Sequence, residues 1–222
     1  MSIRPTQGVS FPRSGHAVVY HLARLYFGDD LVYCDPFSDS HCGCRHVPCV
    51  NPARNFAKNH DHGLLSSPGV PILAREKYLI QYRSPVWSVV SNFKVYLKNH
   101  PAENTKQGWE KFACRDIFFW NRFVDKWVLD FPPDLTSPHY CVYEDLMADP
   151  KTTLTSVLSF LSDQPVNVQK AHELIERLDV QPRSVLQDFD FYEPAFFKKL
   201  EFVARERLAL LDLPLFQDQS TL

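Results

Sequence analysis

Glycine is scarce in this 222-residue chain, with 7 residues, while proline and phenylalanine each reach 17. The loops are therefore expected to be stiff and the interior rich in aromatic rings. No low-complexity tract occurs, and the 45% hydrophobic and 23% charged content lies near globular averages, which excludes a fibrous or disordered chain. No run of about 18 apolar residues is present, so no membrane span is expected. The opening residues show no charged segment followed by an apolar run, and the expectation is a cytoplasmic protein. Positive charge is not in excess either: 24 Lys and Arg face 26 Asp and Glu, a net charge of -2. Such a balance argues against a general nucleic-acid binder, because coating a phosphate backbone takes surplus Lys and Arg. The length fits one domain, residues 1–222.

Charge is nonetheless unevenly spread. Residues 1–100 hold 11 Lys or Arg and 6 Asp or Glu, a balance of +5, which leaves -7 for the remainder. An anion site is therefore sought in the N-terminal half. Of the six cysteines, Cys114 and Cys141 read as core thiols, and the other four lie between 34 and 49.

Strands and helices alternate along the chain. Val9-Ser10-Phe11 is β-prone and runs through Pro12-Arg13-Ser14-Gly15 into a helix over 16–26, with Val18, Val19, Leu22, Leu25 and Tyr26 on its packing face. Residues 34–52 have no period of 2 or 3.6 and form an irregular Cys/His-rich insertion of a length that is often functional. A strand over 55–60 and another over 78–83 follow, and Ser84-Pro85 opens a helix carried by Val86, Val89, Val90, Phe93 and Leu97. An amphipathic helix spans 107–129 with Phe112, Phe119, Trp120, Phe123, Trp127 and Val128 inward, and His139–Tyr143 is a short strand. Asp149-Pro150, Asn167 and Pro194 begin the last three helices. The fold class is α/β, a mainly parallel sheet flanked by helices on both faces.

In such sheets ligands gather at the C-terminal strand ends. Arg13-Ser14-Gly15, His60 and Arg83 fall there. The loop at 12–15 can aim backbone amides and the positive end of a helix at an anion, with Gly15 permitting close approach and Arg13 adding charge. It is not the nucleoside-triphosphatase loop, since Gly8 and Gly15 are seven apart and no Lys follows Gly15. No Mg²⁺ carboxylate is evident.

Four blocks, in order, resemble the sulfotransferases that use 3′-phosphoadenosine-5′-phosphosulfate (PAPS). Ser10-Phe11-Pro12-Arg13-Ser14-Gly15 resembles their 5′-phosphosulfate loop. Tyr82-Arg83-Ser84-Pro85 with Ser91 resembles their 3′-phosphate segment. Lys58-Asn59-His60 resembles their Lys-Thr-His, whose His is the catalytic base, and Tyr143-Glu144-Asp145-Leu146 with Asp149-Pro150 resembles a late segment. The blocks span about two-thirds of the chain.

The resemblance implies a P-loop NTPase-like domain that moves a sulfuryl group in line from PAPS to a hydroxyl or amine, leaving 3′-phosphoadenosine-5′-phosphate (PAP), with no metal required. It implies His60 as general base. Arg13 would act on the transferring group, and Arg13, Ser14, Gly15, His16 and Ala17 would hold the 5′-phosphosulfate. Arg83 and Ser91 would hold the 3′-phosphate. The acceptor would be a small molecule or carbohydrate. Competing readings are a small-molecule kinase and a noncatalytic nucleotide-binding scaffold, and Asp61 or His62 stand beside His60 as alternative bases.

The chain departs from the family where His16-Ala17 replaces a hydroxyl pair, and where no Arg-Lys-Gly loop is evident. Arg183 or Lys198-Lys199 are the candidates to replace that loop. Glu144 and Asp145 are read as loop anchors. The Cys34, His41, Cys42, Cys44, His46, Cys49 cluster has soft ligands enough for zinc, but Cys-x-Cys-x₄-Cys is not a pair of Cys-x₂-Cys motifs. It reads as free thiols in a substrate-proximal loop, with a disulfide or a structural zinc as alternatives, and no metal is expected among the active-site residues.

Overall fold

The computed structural model describes residues 3–36, 38, 42–178, 180 and 189–216. Five strands form one parallel sheet: β1 (Thr6–Ser10), β2 (Tyr33–Cys34), β3 (Phe56–Asn59), β4 (Lys77–Tyr82) and β5 (His139–Val142), in the order β2-β3-β1-β4-β5. β1 lies at the centre, with Val9 opposite Asn59 of β3 and Ser10 opposite Gln81 of β4. All its residues are buried, as expected for a strand covered on both faces.

Seven α-helices are present among the described residues: α1 (His16–Phe27), α2 (Pro85–Leu97), α3 (Lys106–Val124), α4 (Tyr143–Ala148), α5 (Pro150–Leu161), α6 (Val168–Glu176) and α7 (Pro194–Leu211). The two-residue period of β4 sorts them into layers. Tyr78, Ile80 and Tyr82 share a core with α2, α3 and α7, an aromatic-rich layer that includes Phe93, Trp109, Trp120 and Phe197. Leu79 points the other way, into a core with α1, α4, α5 and α6 built from Leu22, Leu146, Leu158 and Ile175. Helices thus cover both faces.

Helix starts follow local chemistry. Asp149 accepts from the Thr152 amide at 3.0 Å and Asn167 from the Lys170 amide at 3.0 Å, each satisfying a donor that the first turn leaves unpaired. Thr105 does the same for Gly108 ahead of α3.

Four expectations need correction. Leu25 is half exposed and lies off the packing face of α1. Cys114 is exposed on α3, although Cys141 is buried. The helix expected over 107–129 divides: α3 ends at Val124, and one π-helical turn, Asp125–Leu129, completes it. The strand expected over 139–143 stops at Val142, because Tyr143 already starts α4. β2, with two residues, is too short to leave a periodic signal.

Candidate active site

β1, β3 and β4 are adjacent and parallel, so their C-terminal ends deliver Phe11–Gly15, His60 and Arg83 to one edge of the sheet. The Phe11 amide donates to the Gln81 carbonyl at 2.8 Å and the Ser14 amide to the Phe11 carbonyl at 3.3 Å, which folds the loop back on the sheet. Arg13 and Gly15 both take left-handed backbone angles, φ 70° and 88°. A Cβ on Gly15 would stand 3.0 Å from Leu146 of α4 in addition to that conformational cost. Gly15 caps α1, and the amides of His16 and Ala17, at the first two helical positions, have no carbonyl one turn back.

The Arg13 Nε donates to Ser91 Oγ at 3.0 Å. The fold thus brings together two residues 78 positions apart, one from the loop and one from α2. Arg83 is buried, its guanidinium 3.9 Å from the Tyr143 ring and 5.9 Å from the Trp87 ring. Burial is the main influence lowering its pKa, and repulsion from Arg13 adds to it, against Tyr143 and Glu144. Its carbonyl accepts from Trp120 Nε1 at 2.8 Å, and Glu144 accepts from the next amide, that of Ser84, at 3.0 Å. Glu144 is therefore a loop anchor.

His60 follows β3, its ring half buried. Its Nδ1 lies 2.7 Å from the Ser10 carbonyl, which can only accept, so Nδ1 carries the proton and Nε2 is the basic nitrogen. Burial holds the His60 pKa well below the usual histidine value, the Lys58 charge adds to the effect, and the Ser10 bond opposes both. That depression favours the neutral ring at neutral pH. Lys58 itself pairs with Asp35 at 3.1 Å, beside the end of β2.

The alternative bases differ. Asp61 is buried and committed: its carboxylate accepts from Lys126 Nζ at 2.7 Å, Trp127 Nε1 at 2.9 Å and the Val70 amide at 2.7 Å. His62 is exposed, its ring 5.4 Å from that of His60, and it lines a cavity of about 210 Å³ with Asn92, Tyr96, Arg115, Asp116 and Phe119. The His16 imidazole turns inward, bonding Gln81 at 2.8 Å and Tyr33 at 2.9 Å, so only its backbone faces the loop side. Burial pulls its pKa down to about 4. Lys198 and Lys199 are exposed on α7, and Arg183 lies outside the described residues.

Buried donors at this edge fit an anion. Ser14 Oγ, Ser84 Oγ and Arg83 Nε are buried without hydrogen-bond partners, and a donor left so costs about 1–3 kcal/mol. Two neighbouring guanidinium groups, a helix start and unsatisfied hydroxyls make a cradle for phosphate-like oxygens.

One solved structure shares the architecture over nearly the whole chain. A sulfotransferase from Alicyclobacillus acidocaldarius is 13% identical and matches with a TM-score of 0.50 over 96% of this chain and 97% of its own. The chain has the sulfotransferase fold. Sulfotransferase STF9 from Mycobacterium avium is also 13% identical, with a TM-score of 0.49, and the match covers 74% of this chain and 43% of that longer one. No protein-family model matches the chain, and no curated protein matches it in sequence. Among the described residues, no helix is long and apolar enough to cross a membrane.

On this sulfotransferase fold, sequence reasoning missed three supports: Tyr143 under Arg83, Trp120 behind it, and Asp35 against Lys58. The Tyr143-Glu144 block was the available signal, but which residue its ring would touch depends on how β5 pairs with β4.

Proposed function

We propose that the chain transfers a sulfuryl group from PAPS to a hydroxyl or amine of a small molecule or carbohydrate. One observation carries this reading: His60, its Nδ1 on the Ser10 carbonyl, stands at the same strand edge as the Arg13–Ser91 contact and the buried Arg83. When bound, PAPS supplies an activated sulfuryl group whose leaving oxygen belongs to a phosphate.

The residues divide the work. The amides of His16 and Ala17, with Arg13 and Ser14, bind the 5′-phosphosulfate and stabilise charge on the departing phosphate. Arg83 and Ser91 grip the 3′-phosphate and so set the donor's register. His60 takes the acceptor's proton on Nε2, while Ser10 keeps the ring oriented. Lys58, held by Asp35, keeps positive charge near the base and helps hold it neutral before reaction. These roles require positioning and charge, as in phosphoryl transfer.

The cavity beside His62 is the acceptor's place in this reading. Its walls combine Phe112, Phe119 and Tyr96 with the polar Asn92 and Asp116, which suits a ring that carries hydroxyl groups.

Calorimetric titration with PAP, alongside ATP and Mg²⁺, tests the donor site. PAP should bind and ATP with Mg²⁺ should not. Binding of ATP alone moves the assignment to a kinase, and no binding of either moves it to a scaffold. His60→Ala should bind PAP within about threefold of wild type and lose turnover in an acceptor screen. Undiminished turnover rejects the mechanism.

A further inference from the structure

The geometry points to a tetrathiolate zinc site formed by Cys34, Cys42, Cys44 and Cys49, in place of the free thiols expected from spacing. Their four Sγ atoms lie within 4.8 Å of one another. Cys34 to Cys44 and Cys42 to Cys49 are each 3.7 Å, and Cys44 to Cys49 is 3.5 Å. Four sulfurs bound tetrahedrally at ~2.3 Å from one zinc stand about 3.8 Å apart. A disulfide would need ~2.05 Å between one pair, and all four are free cysteines.

In sequence, the close run Cys42-x-Cys44-x₄-Cys49 holds only three of the four sulfurs. Cys34 joins from the end of β2, where pairing with β3 sets it opposite Ala57. Gly43 and Arg45 take left-handed angles, φ 66° and 54°, and turn the chain so that Cys42 and Cys44 face one centre. Asn51 Nδ2 donates to Cys42 Sγ at 3.5 Å, the outer hydrogen bond a bound thiolate accepts. The atoms that converge are four sulfurs. His46 is not among them, and His41 lies outside the described residues.

The loop also needs such a staple. Between β2 and β3 it runs about twenty residues, and its own apolar cluster is Cys34, Cys49 and Ala57 with Cys42 and Cys44 against them. So small a core cannot offset the entropy of ordering that much backbone. A zinc ion taking four thiolates, with release of their protons, closes the loop and fixes Cys34. Asp35, the next residue, holds Lys58 two positions before His60, so the metal also fixes the outer edge of the candidate active site. The proposal itself rests on no part of the sulfuryl-transfer reading.

Metal analysis of the full chain, purified without chelator, decides it. One zinc per chain is expected in wild type and in Cys114→Ser, whose changed thiol lies on α3 outside the cluster. Below a fifth of an equivalent is expected in Cys44→Ser. Because that variant can fail to fold, the wild type is also exchanged with Co²⁺, which should show the thiolate charge-transfer absorption of a tetrahedral sulfur site. Wild-type protein without zinc whose cluster thiols react as free, a disulfide among the four, or iron in place of zinc would each overturn the assignment.

Discussion

Arg83→Met separates binding from folding. Methionine keeps the buried volume roughly but removes the charge and the donors. Two charge-assisted hydrogen bonds to a 3′-phosphate contribute about 1.5–3 kcal/mol each, so PAP affinity should fall by ~100-fold or more. Stability should barely move. The ligand-free protein loses a cation–π contact with Tyr143 at 3.9 Å, which is about 0.5–2 kcal/mol. It also loses the cost of a buried Nε without a partner, about 1–3 kcal/mol. At mid-range these offset to within about 1 kcal/mol, or ~2–4 °C in the melting temperature of a chain this size. Calorimetry with PAP and a thermal melt on the same sample read both quantities. Unchanged PAP affinity would refute the 3′-phosphate role, and a melting temperature lowered by more than ~8 °C would show that Arg83 serves the fold instead.

Three more expectations follow from other contacts. The acid limb of kcat/KM should lie below pH 6.5, because His60 must be neutral to act and its pKa is depressed mainly by burial; an inflection at or above 6.5 contradicts this. The Arg54–Glu76 pair is buried at both ends and bonds through the two terminal guanidinium nitrogens at 2.7 and 3.0 Å. Glu76→Gln strands a buried charge and should cost about 3–5 kcal/mol in urea unfolding, while Arg54→Met with Glu76→Leu should restore most of it. Gly8→Ala would place a Cβ 2.8 Å from both His16 Cε1 and Phe56 Cε2, an overpacking of about 1–3 kcal/mol in the same assay. Wild-type stability in that variant would mean the His16 ring yields freely despite its bonds to Gln81 and Tyr33.

The order of strands and helices could be read from the chain because it is written in local signals. Pro85 after Ser84, the Asp149 and Asn167 caps, and the helical spacing of Phe112, Trp120 and Phe123 each act over one or two turns. The loop at 12–15 and the strand ends at 60 and 83 were legible for the same reason, since a strand, a tight turn and a helix start are contiguous. Their arrangement was not. That Arg13 reaches Ser91, that His60 leans on Ser10, and that Tyr143 lies under Arg83 depend on β1 standing between β3 and β4, with β5 outside. Strand order is a property of long-range pairing, which no window of sequence contains. The same holds for the burial that keeps His60 neutral, for the inward turn of His16, and for the four cysteines. Residue type supplied sulfur, and only the pairing of β2 with β3 brought Cys34 to the other three.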